Sequence, residues 1–543
     1  MKKIISFFLS VFIIQIMFTD AAYSQLGHNN MYLLANINTH TTPYSAVWGF
    51  KAPNGREYAI IGTYDGTQFV DITDVSNIHE VDFIPSTNPS SSNNQWREMK
   101  TYSNYAYIVS EVGNSGIQIA DLQYLPDSVR YVKKFLAASH TSTHSISQYG
   151  PYLYLNGCNS TFGQGVVVMD LTVNPETPVK RGSYNTEYVH DCRVFNDTIY
   201  AANIYSGRVS IINAVNKNSL NLVTNFVNLS GSGPHNTALT ADRKYLLVTD
   251  EIGTAPYRLK IWNIEDLGDI TFITSWQPTG ITSSIVHNVE VYGYYALIAH
   301  YSAGVRLVDF STPSAPVEVA WYDTYPGNDN QNYNGCWGVY MFPSGKIIAS
   351  DRQTGLYVLK TYFNITLSIE GLYNSSTNRL NRKDTVTAYL REASSPFNIV
   401  DSAKAVIDSV TLTGNFKFNN SYAGNYYIAL KHRNSIQTWS KTGGENYNPM
   451  AIMKYDFTIA QDKAFGNNML QVDSSPLRFA LYSGDANQDM TIDGSDLSLI
   501  SNDAENFIIG YVSADLNGDR IVDGADILIA ENNSQNFIIA ILP

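Results

Sequence analysis

HNVEVYGYYALIAHYSAGVRLVDFSTPSAPVEVAWY, residues 287–322, is the stretch that decides the fold. It contains four short runs, NVEVY, YYALIAH, GVRLVDF and VEVAWY, separated by turn residues such as Gly293 and residues 313–316. Short runs rich in Val, Ile and Tyr between Gly, Pro and Ser residues are typical of β-strands. The stretch therefore predicts one small sheet of four strands.

Related versions of this pattern recur along the chain with a period of about 45 residues. The second strand returns as YAIIGTY from Tyr58 and YLLVTDE from Tyr245, and the third as GTQFVDI and GVVVMDL. Units of this size cannot bury their own faces, so they stack around an axis. The pattern predicts a mainly β chain whose residues 31–361 form a seven-bladed β-propeller.

The last repeat ends after Thr361 without a fourth strand, and residues 31–38, MYLLANIN, form a strand pattern without a partner. We predict that residues 31–38 pair with the sheet formed by residues 337–361. This pairing would leave fewer bare sheet edges.

A chain of 543 residues is too long for one core. From Asn364 the pattern changes to seven short alternating strands, which predict a β-sandwich spacer over residues 364–482. A carbohydrate-binding module is the functional alternative, with Trp439 available for stacking on sugars. Residues 484–543 form a separate duplicated unit.

The charge pattern and the first residues bear on partners and location. A net charge of -13 and a pI near 5.2, without a basic stripe, argue against nucleic acid as a partner. Residues 1–24 combine Lys2 and Lys3, an apolar run and small residues before Ser24, which predicts a secretory signal peptide. No later stretch reaches the roughly 20 apolar residues of a membrane span. We expect a bacterial chain that is secreted or held at the cell surface.

Three cysteines, Cys158, Cys192 and Cys336, fall in the predicted propeller. Cys158 and Cys192 lie in adjacent repeats and could form a disulfide, since sequence does not fix their separation. The favoured interpretation is that all three are small buried residues.

The duplicated tail carries the clearest chemical pattern. GDANQDMTIDGSDLSLISNDAENFIIGYV is matched, 30 residues later, by ADLNGDRIVDGADILIAENNSQNFIIAIL. Each copy spaces oxygen-bearing residues as positions 1, 3, 5, 7, 9 and 12 of an EF-hand-type loop, and Ca²⁺ prefers six to eight oxygen ligands. The predicted ligands are Asp485, Asn487, Asp489, Thr491 through its carbonyl, Asp493 and Asp496 in loop 1, and Asp515, Asn517, Asp519, Ile521 through its carbonyl, Asp523 and Asp526 in loop 2.

Both loops depart from the usual pattern at two positions. Position 6, normally Gly, is Met490 in loop 1 and Arg520 in loop 2, so a left-handed backbone there costs roughly 1 kcal/mol each. Position 12 is Asp, which reaches less far than Glu. We therefore expect two calcium ions held with affinities of about 10⁻⁵ to 10⁻³ M, coupled to folding of the tail.

Two parts of the chain resemble known families. VDITDVSNIHEVDFI and VDFSTPSAPVEVAWY resemble the LVIVD repeat, and the predicted propeller, about 60% of the chain, resembles that of the "choice-of-anchor B" family of secreted bacterial proteins. The paired loops, each followed by a short helix at residues 497–502 and 527–532, resemble a type I dockerin. That resemblance implies docking onto a cohesin-like or cell-surface partner, although the Lys-Arg pair common after dockerin loops is missing.

Aligning the repeats places one residue of each at the start of its innermost strand. These residues are Trp48, Trp96, His144, His190, His235, His287 and Trp337. Residues that close the second strands are expected on the same face, and they are Glu111, Asp250, Glu251, His300, Asp351 and Arg352. Converging imidazoles and carboxylates suit zinc or another transition metal at the mouth of the tunnel. In the alternative, each histidine hydrogen-bonds the turns of its own and neighbouring blades.

The preferred functional interpretation is a secreted binding or surface-interaction protein, whose propeller face takes a glycan or protein ligand and whose tail docks or anchors it. The rival is an extracellular polysaccharide-active or metal-dependent enzyme with its site at the tunnel mouth. For glycoside hydrolysis, Asp250 and Glu251 facing Glu111 would be the first pair to test. The sequence contains no G-x-S-x-G, H-E-x-x-H or P-loop pattern.

Overall fold

The computed structural model describes residues 27–543, and the predicted signal peptide, residues 1–24, lies outside this range. Within the described residues the chain is mainly β, with two α-helices near its C-terminal end. None of the helices in that range is long and apolar enough to cross a membrane.

Between residues 28 and 361 the described chain forms seven sheets, numbered here in the order of their first strands. Sheets 1 to 3 contain the strands Val47–Lys51, Glu57–Gly62, Gly66–Asp71 and His79–Pro85; Arg97–Tyr102, Tyr105–Ser110, Ile117–Asp121 and Arg130–Phe135; and Ser145–Tyr149, Tyr152–Asn156, Val166–Asp170 and Val179–Tyr184. Sheets 4 and 5 contain Asp191–Phe195, Thr198–Asn203, Arg208–Asn213 and Asn221–Val227; and Ser232–Leu239, Tyr245–Gly253, Leu259–Asn263 and Thr271–Trp276. Sheets 6 and 7 contain Val289–Tyr292, Tyr295–His300, Gly304–Asp309, Val317–Tyr322 and His28–Asn29; and Cys336–Met341, Ile347–Asp351, Gly355–Thr361 and Met31–Ile37.

The sheets are arranged as propeller-like blades. The first strand of each sheet contacts the first strand of the next, and the first strand of sheet 7 contacts that of sheet 1. Apolar side chains of the second and third strands, such as Ile60 and Phe69, are fully buried. The cyclic order brings the beginnings of the first strands to one central region.

The N-terminal segment joins the last two sheets. Met31–Ile37 pairs antiparallel with Gly355–Thr361, with Met31 opposite Thr361, so the predicted closing strand is confirmed, one residue shorter than expected. A second pairing was not anticipated: His28–Asn29 adds a fifth strand to sheet 6 beside Val317–Tyr322.

The three cysteines, Cys158, Cys192 and Cys336, are buried and unbonded, so the disulfide considered for the first two does not form. Burial raises the pKa of the Cys158 and Cys192 thiols to about 12. Both therefore act as small apolar residues of the core.

The second β unit follows Thr361. Its strands are Phe363–Thr366, Tyr373–Asn374, Arg379–Leu380, Asp384–Glu392, Ile399–Ile407, Thr413–Phe416, Gly424–His432, Ser435–Trp439, Glu445–Tyr447, Lys454–Asp456, Leu470–Ser474 and Leu477–Ala480. A sheet built on Asp384–Glu392 and Gly424–His432 shares one apolar core with a three-stranded sheet built on Phe363–Thr366.

Trp439, considered from the sequence as an exposed platform for sugars, is buried. It packs against Tyr427, with ring centroids 5.7 Å apart, and beneath the Arg391 guanidinium. The indole is buried because Tyr427, Phe397 and Arg391 pack around it, and a sugar cannot stack on it.

The tail contains two helices, α1 (Gly494–Glu505) and α2 (Gly524–Gln535). Both extend beyond the predicted ranges, 497–502 and 527–532. Each begins inside its acidic loop because Asp493 and Asp523 act as N-caps and complete capping boxes with Asp496 and Asp526.

Side-chain amides attach the tail to the second β unit. Asn434 Nδ2 donates to the Asp515 carbonyl at 3.0 Å, and Asn468 Nδ2 donates to the Ile539 carbonyl at 3.0 Å. Asn533 Nδ2 donates to the Ser483 carbonyl at 2.7 Å. Both copies of the tail motif are therefore held against the sheets.

Candidate functional site

Four histidines lie side by side where the first strands begin. His144, His190 and His287 come just before the strands of sheets 3, 4 and 6, and His235 lies within the first strand of sheet 5. Ring centroids of successive members are 4.0, 4.5 and 4.1 Å apart. One position repeated in four sheets thus forms a continuous histidine row.

Glu251, from the second strand of sheet 5, faces this row. Its carboxylate oxygens lie 3.7 Å from the Nε2 atoms of His190, His235 and His287. Tyr301 Oη donates a hydrogen bond to Glu251 Oε1 at 2.8 Å and fixes the carboxylate from the other side. We call the histidine row together with Glu251 the axial cluster.

The two end members of the row have hydrogen-bond partners on their outer nitrogens. His144 Nδ1 lies 2.5 Å from Glu111 Oε1, and His287 Nδ1 lies 2.5 Å from the Trp337 carbonyl oxygen. Both partners are acceptors, so each Nδ1 carries a proton. Neutral His287 therefore keeps a lone pair on Nε2, which faces Glu251 at 3.7 Å, whereas His144 Nε2 lies 3.1 Å from His190 Nε2.

The inner two members are not held in this way. Within the described residues, His190 Nδ1 and His235 Nδ1 have no hydrogen-bond partner. Both residues are buried, with 9% and 5% of their surface exposed, so solvent does not readily supply one. The structural interpretation, in which every histidine hydrogen-bonds a turn, fits His287 and does not account for these two. Their rings are oriented by packing toward Glu251.

Burial sets the charge of the row. It lowers the pKa of His190 and His287 well below the usual value, and it also lowers the pKa of His235. Burial acts in the same direction on His144, but its hydrogen bond to Glu111 and the charge of that carboxylate outweigh it and raise the pKa. The three histidines nearest Glu251 are therefore neutral at pH 7 and able to ligate a metal.

The four histidines border a cavity of about 20 Å³, room for one water molecule or one ion, and Glu251 is not among the residues that line it. The cavity is lined by Trp96, Arg97, Glu98, His144, Ser145, His190, Asp191, His235, His287, Asn288 and Trp337. A sugar ring does not fit in a space of this size.

Charged pairs fill the next layer of the channel. Lys100 Nζ lies 3.0 Å from Glu98 Oε1, and Arg193 pairs with Glu290 at 2.7 Å. Burial, followed by the charge of Glu98, raises the pKa of Asp191 to about 7. The channel is thus lined by charged and polar side chains beneath the histidines.

Two of the carboxylates expected at the mouth, Asp250 and Asp351, lie elsewhere. Asp250 forms an ion pair with Lys260 and accepts from Asn228, because successive residues of a strand point to opposite faces and Glu251 takes the axial face. Asp351 instead accepts from the Thr354 hydroxyl in a turn. Asp250 therefore does not face Glu111, and of the two carboxylates proposed opposite Glu111 for glycoside hydrolysis only Glu251 lies at the axis.

His300, also expected at the mouth, is buried within sheet 6. Its Nδ1 lies 3.1 Å from Ser284 Oγ, and its ring meets the edge of Trp276. The tyrosine that follows it, Tyr301, is the residue that reaches the cluster. Sequence reasoning missed Tyr301, although its place directly after a second strand was a usable signal.

Acidification is expected to destabilise the chain through His300. Burial lowers the pKa of this histidine to about 3, whereas the unfolded value is about 6.5. Neutral His300 therefore favours the folded chain fully above pH 6.5. As the pH falls toward 3, the unfolded chain takes up the proton more readily than the folded chain, and the free energy of unfolding drops by roughly 3 kcal/mol by pH 4. Urea unfolding of wild type and His300→Asn at pH 7 and pH 4 measures this, since Asn keeps a polar group near Ser284 and does not titrate. Parallel losses in the two proteins would contradict the assignment.

The first acidic loop of the tail gathers three carboxylates. Oxygens of Asp485, Asp489 and Asp496 lie within 4.8 Å of one another. Burial, followed by the charge of Asp496, raises the pKa of Asp485 to about 6. Met490 has φ 76° and Arg520 φ 74°, the left-handed conformation expected at position 6 of both loops.

The second loop differs in its surroundings. Asp515 is fully buried, and its Oδ2 has no hydrogen-bond partner among the described residues. Guanidinium nitrogens of Arg382 and Arg433 lie 3.8 and 3.9 Å from this oxygen. Both arginines come from the second β unit, which therefore lies against a predicted calcium ligand.

The cyclic sheets and the repeated first-strand position define a β-propeller-like repeat protein. Residues 284–324, which include His287, match the family model of the LVIVD repeat. No curated protein matches the chain. Among solved structures, the chain is similar to the WD40 β-propeller domain of Doa1, with 10% identity, 61% of this chain and 96% of that chain covered and a TM-score of 0.43. It is also similar to a protein from Lactobacillus plantarum, with 9% identity, 69% and 98% covered and a TM-score of 0.43.

Proposed function

We propose that the chain is a secreted binding protein in which a seven-bladed β-propeller presents a recognition face, a β-sandwich acts as spacer, and a calcium-loaded, dockerin-like tail docks the molecule. The apolar segment and small residues of residues 1–24 support export. The propeller is supported by the closed cycle of first strands and by the repeat match at residues 284–324.

The convergence of carboxylates in the tail carries the proposal. Asp485, Asp489 and Asp496 of loop 1 crowd together, and in loop 2 the buried Asp515 Oδ2 makes no hydrogen bond, although guanidinium nitrogens of Arg382 and Arg433 lie 3.8 and 3.9 Å away. Like charges this close repel unless a cation lies between them, and Ca²⁺ takes oxygen ligands at 2.3 to 2.6 Å. We therefore assign calcium to both loops, held by the carboxylates at positions 1, 5, 9 and 12 of each copy, the Asn side-chain oxygen at position 3 and the backbone carbonyl at position 7.

Calcium is expected to stabilise the tail strongly. Titrating Ca²⁺ into the calcium-free mature chain should give two binding events and protect α1 and α2 from hydrogen exchange, because ligand binding to the folded state alone stabilises it. Asp489→Ala combined with Asp519→Ala should abolish both effects. Glu505→Gln with Glu531→Gln, which removes two exposed carboxylates from the helices, is the matched control. Unchanged protection on adding calcium would exclude the calcium assignment.

Equivalent apolar residues of the two copies are exposed and available to a partner. Phe507 is 86% exposed and Phe537 85%, each directly after a helix, and Ile509 and Ile539 follow them at 72% and 52%. Large exposed apolar side chains repeated in this way mark an interaction surface. The short bridges Ile509 to Ile521 and Thr491 to Ile539 tie each exposed segment to the loop of the other copy.

Docking is expected to require calcium and these phenylalanines. An immobilised type I cohesin module is the probe for the mature chain, in calcium and in a chelator. We expect binding only in calcium, with a loss of about 100-fold in Phe507→Ser/Phe537→Ser, as for a central aromatic contact. Tyr124→Ser removes an exposed aromatic of the propeller region as control. Binding that ignores both calcium and the phenylalanines would contradict this docking mode.

A further inference from the structure

We propose that the axial cluster is a binding site for one divalent transition metal ion, with His190, His235 and Glu251 as ligands. The site lies in the propeller-like region and is chemically separate from the acidic loops of the tail. Ligand atoms of these three residues lie within 4.8 Å of one another.

The distances are those of a metal site. Glu251 lies 3.7 Å from each of the two ligand Nε2 atoms, too far for a hydrogen bond. In a tetrahedral zinc site with Zn–N bonds of 2.0 to 2.1 Å, neighbouring ligand atoms are about 3.4 Å apart. An ion between these atoms would need only small movements of the side chains.

The lone pairs in the cluster call for a cation. The His287 Nδ1–H donates a hydrogen bond to the Trp337 carbonyl, so the Nε2 of the neutral ring carries a lone pair, and it faces Glu251 Oε1 at 3.7 Å. A lone pair and a carboxylate repel when nothing positive lies between them. His287 therefore stands ready as a fourth ligand, while a water molecule is the other occupant that the space between these groups admits.

Supporting contacts of the kind found around metal ligands are present. Tyr301 donates to Glu251 at 2.8 Å and fixes its carboxylate. His190 Nε2 lies 3.1 Å from His144 Nε2, so an ion at His190 would replace this contact. The Trp337 carbonyl behind His287 orients that ring and raises its basicity toward a metal.

Imidazole donors select the class of ion. Zinc, copper and nickel bind nitrogen ligands well, whereas calcium and magnesium require oxygen. His40 provides a contrast within the same chain. It lies between two partly exposed carboxylates, with Nε2 2.8 Å from Glu80 Oε2 and Nδ1 3.5 Å from Asp65 Oδ2, so both ring nitrogens already have partners.

Zinc titration of the mature chain tests the proposal, with calcium in excess to occupy the tail loops. We expect one Zn²⁺ per chain in competition with a chromophoric chelator, and a rise in the thermal unfolding midpoint of the propeller-like region. His190→Ala/His235→Ala should weaken binding by at least about 100-fold, and the near-isosteric Glu251→Gln by about 10- to 100-fold. His40→Ala should leave binding unchanged.

The outcomes separate this inference from the proposed function. If zinc binding is lost in the cluster variants and kept in the tail variants, the site is supported, whether or not the tail binds calcium. Zinc binding that is absent, or that survives Glu251→Gln unchanged, overturns it, and zinc lost only in Asp489→Ala/Asp519→Ala would assign the ion to the tail. Glu251→Gln keeps an acceptor for Tyr301, so the test remains valid if the double histidine variant fails to fold.

Discussion

A chain that begins at residue 39 is expected to lose the cooperative unfolding of the seven sheets. Removal of Met31–Ile37 bares the edge of Gly355–Thr361 in the sheet that closes the cycle. Met31 is fully buried and Tyr32 is 3% exposed, and their burial contributes roughly 4 kcal/mol. Lost strand pairing adds to this, against a total stability on the order of 5–15 kcal/mol.

Calorimetry of the shortened chain and of one beginning at residue 27 measures the effect. Leu33→Ser is the control, because Leu33 lies on the same strand and is 39% exposed. It should shift the unfolding midpoint only slightly. A shortened chain that unfolds at the same midpoint as the longer one would show that the N-terminal strand does not close the structure.

Asp384→Ala is expected to cost about 3–5 kcal/mol and to loosen the tail, as loss of one member of a buried charged network does. Asp384 is 3% exposed and lies 3.3 Å from His432 Nε2 and 3.2 Å from Arg433 Nε. Tyr511 of the tail donates a hydrogen bond to the same carboxylate. Removal of the Asp384 carboxylate leaves the largely buried Arg433 guanidinium without its nearest carboxylate.

Urea unfolding, together with limited proteolysis of the junction before α1, measures this effect. Lys383→Ala, at the neighbouring position, removes an exposed pair with Asp408 and should cost less than about 1 kcal/mol. Equal stability of the two variants would mean that the network does not hold the tail.

The repeat pattern predicted the strands and the closing pair because both follow from local alternation and from one unpaired strand at each end. The helices were predicted too short, since their first turns lie inside the acidic loops that Asp493 and Asp523 cap. The fifth strand of sheet 6, His28–Asn29, was not predictable. A segment of two residues is too short to show an alternating hydrophobic pattern, and it becomes a strand only by pairing with Val317–Tyr322.

The register of the repeats also predicted which histidines would meet, because equivalent positions of successive sheets share one location. It did not separate Asp250 from Glu251, since that depends on which face of a twisted strand reaches the axis. Trp439 was misjudged for a related reason: its burial depends on packing against Tyr427 and Phe465, which are distant from it in the sequence pattern.

The axial cluster is tested most directly by X-ray absorption at the zinc edge on the mature chain loaded with one Zn²⁺ in excess calcium. We predict nitrogen and oxygen neighbours at 2.0 to 2.2 Å, with the outer-shell scattering of at least two imidazoles. Sulfur neighbours at about 2.3 Å, or an oxygen shell without imidazole scattering, would place the ion on cysteines or on the acidic loops and contradict the account.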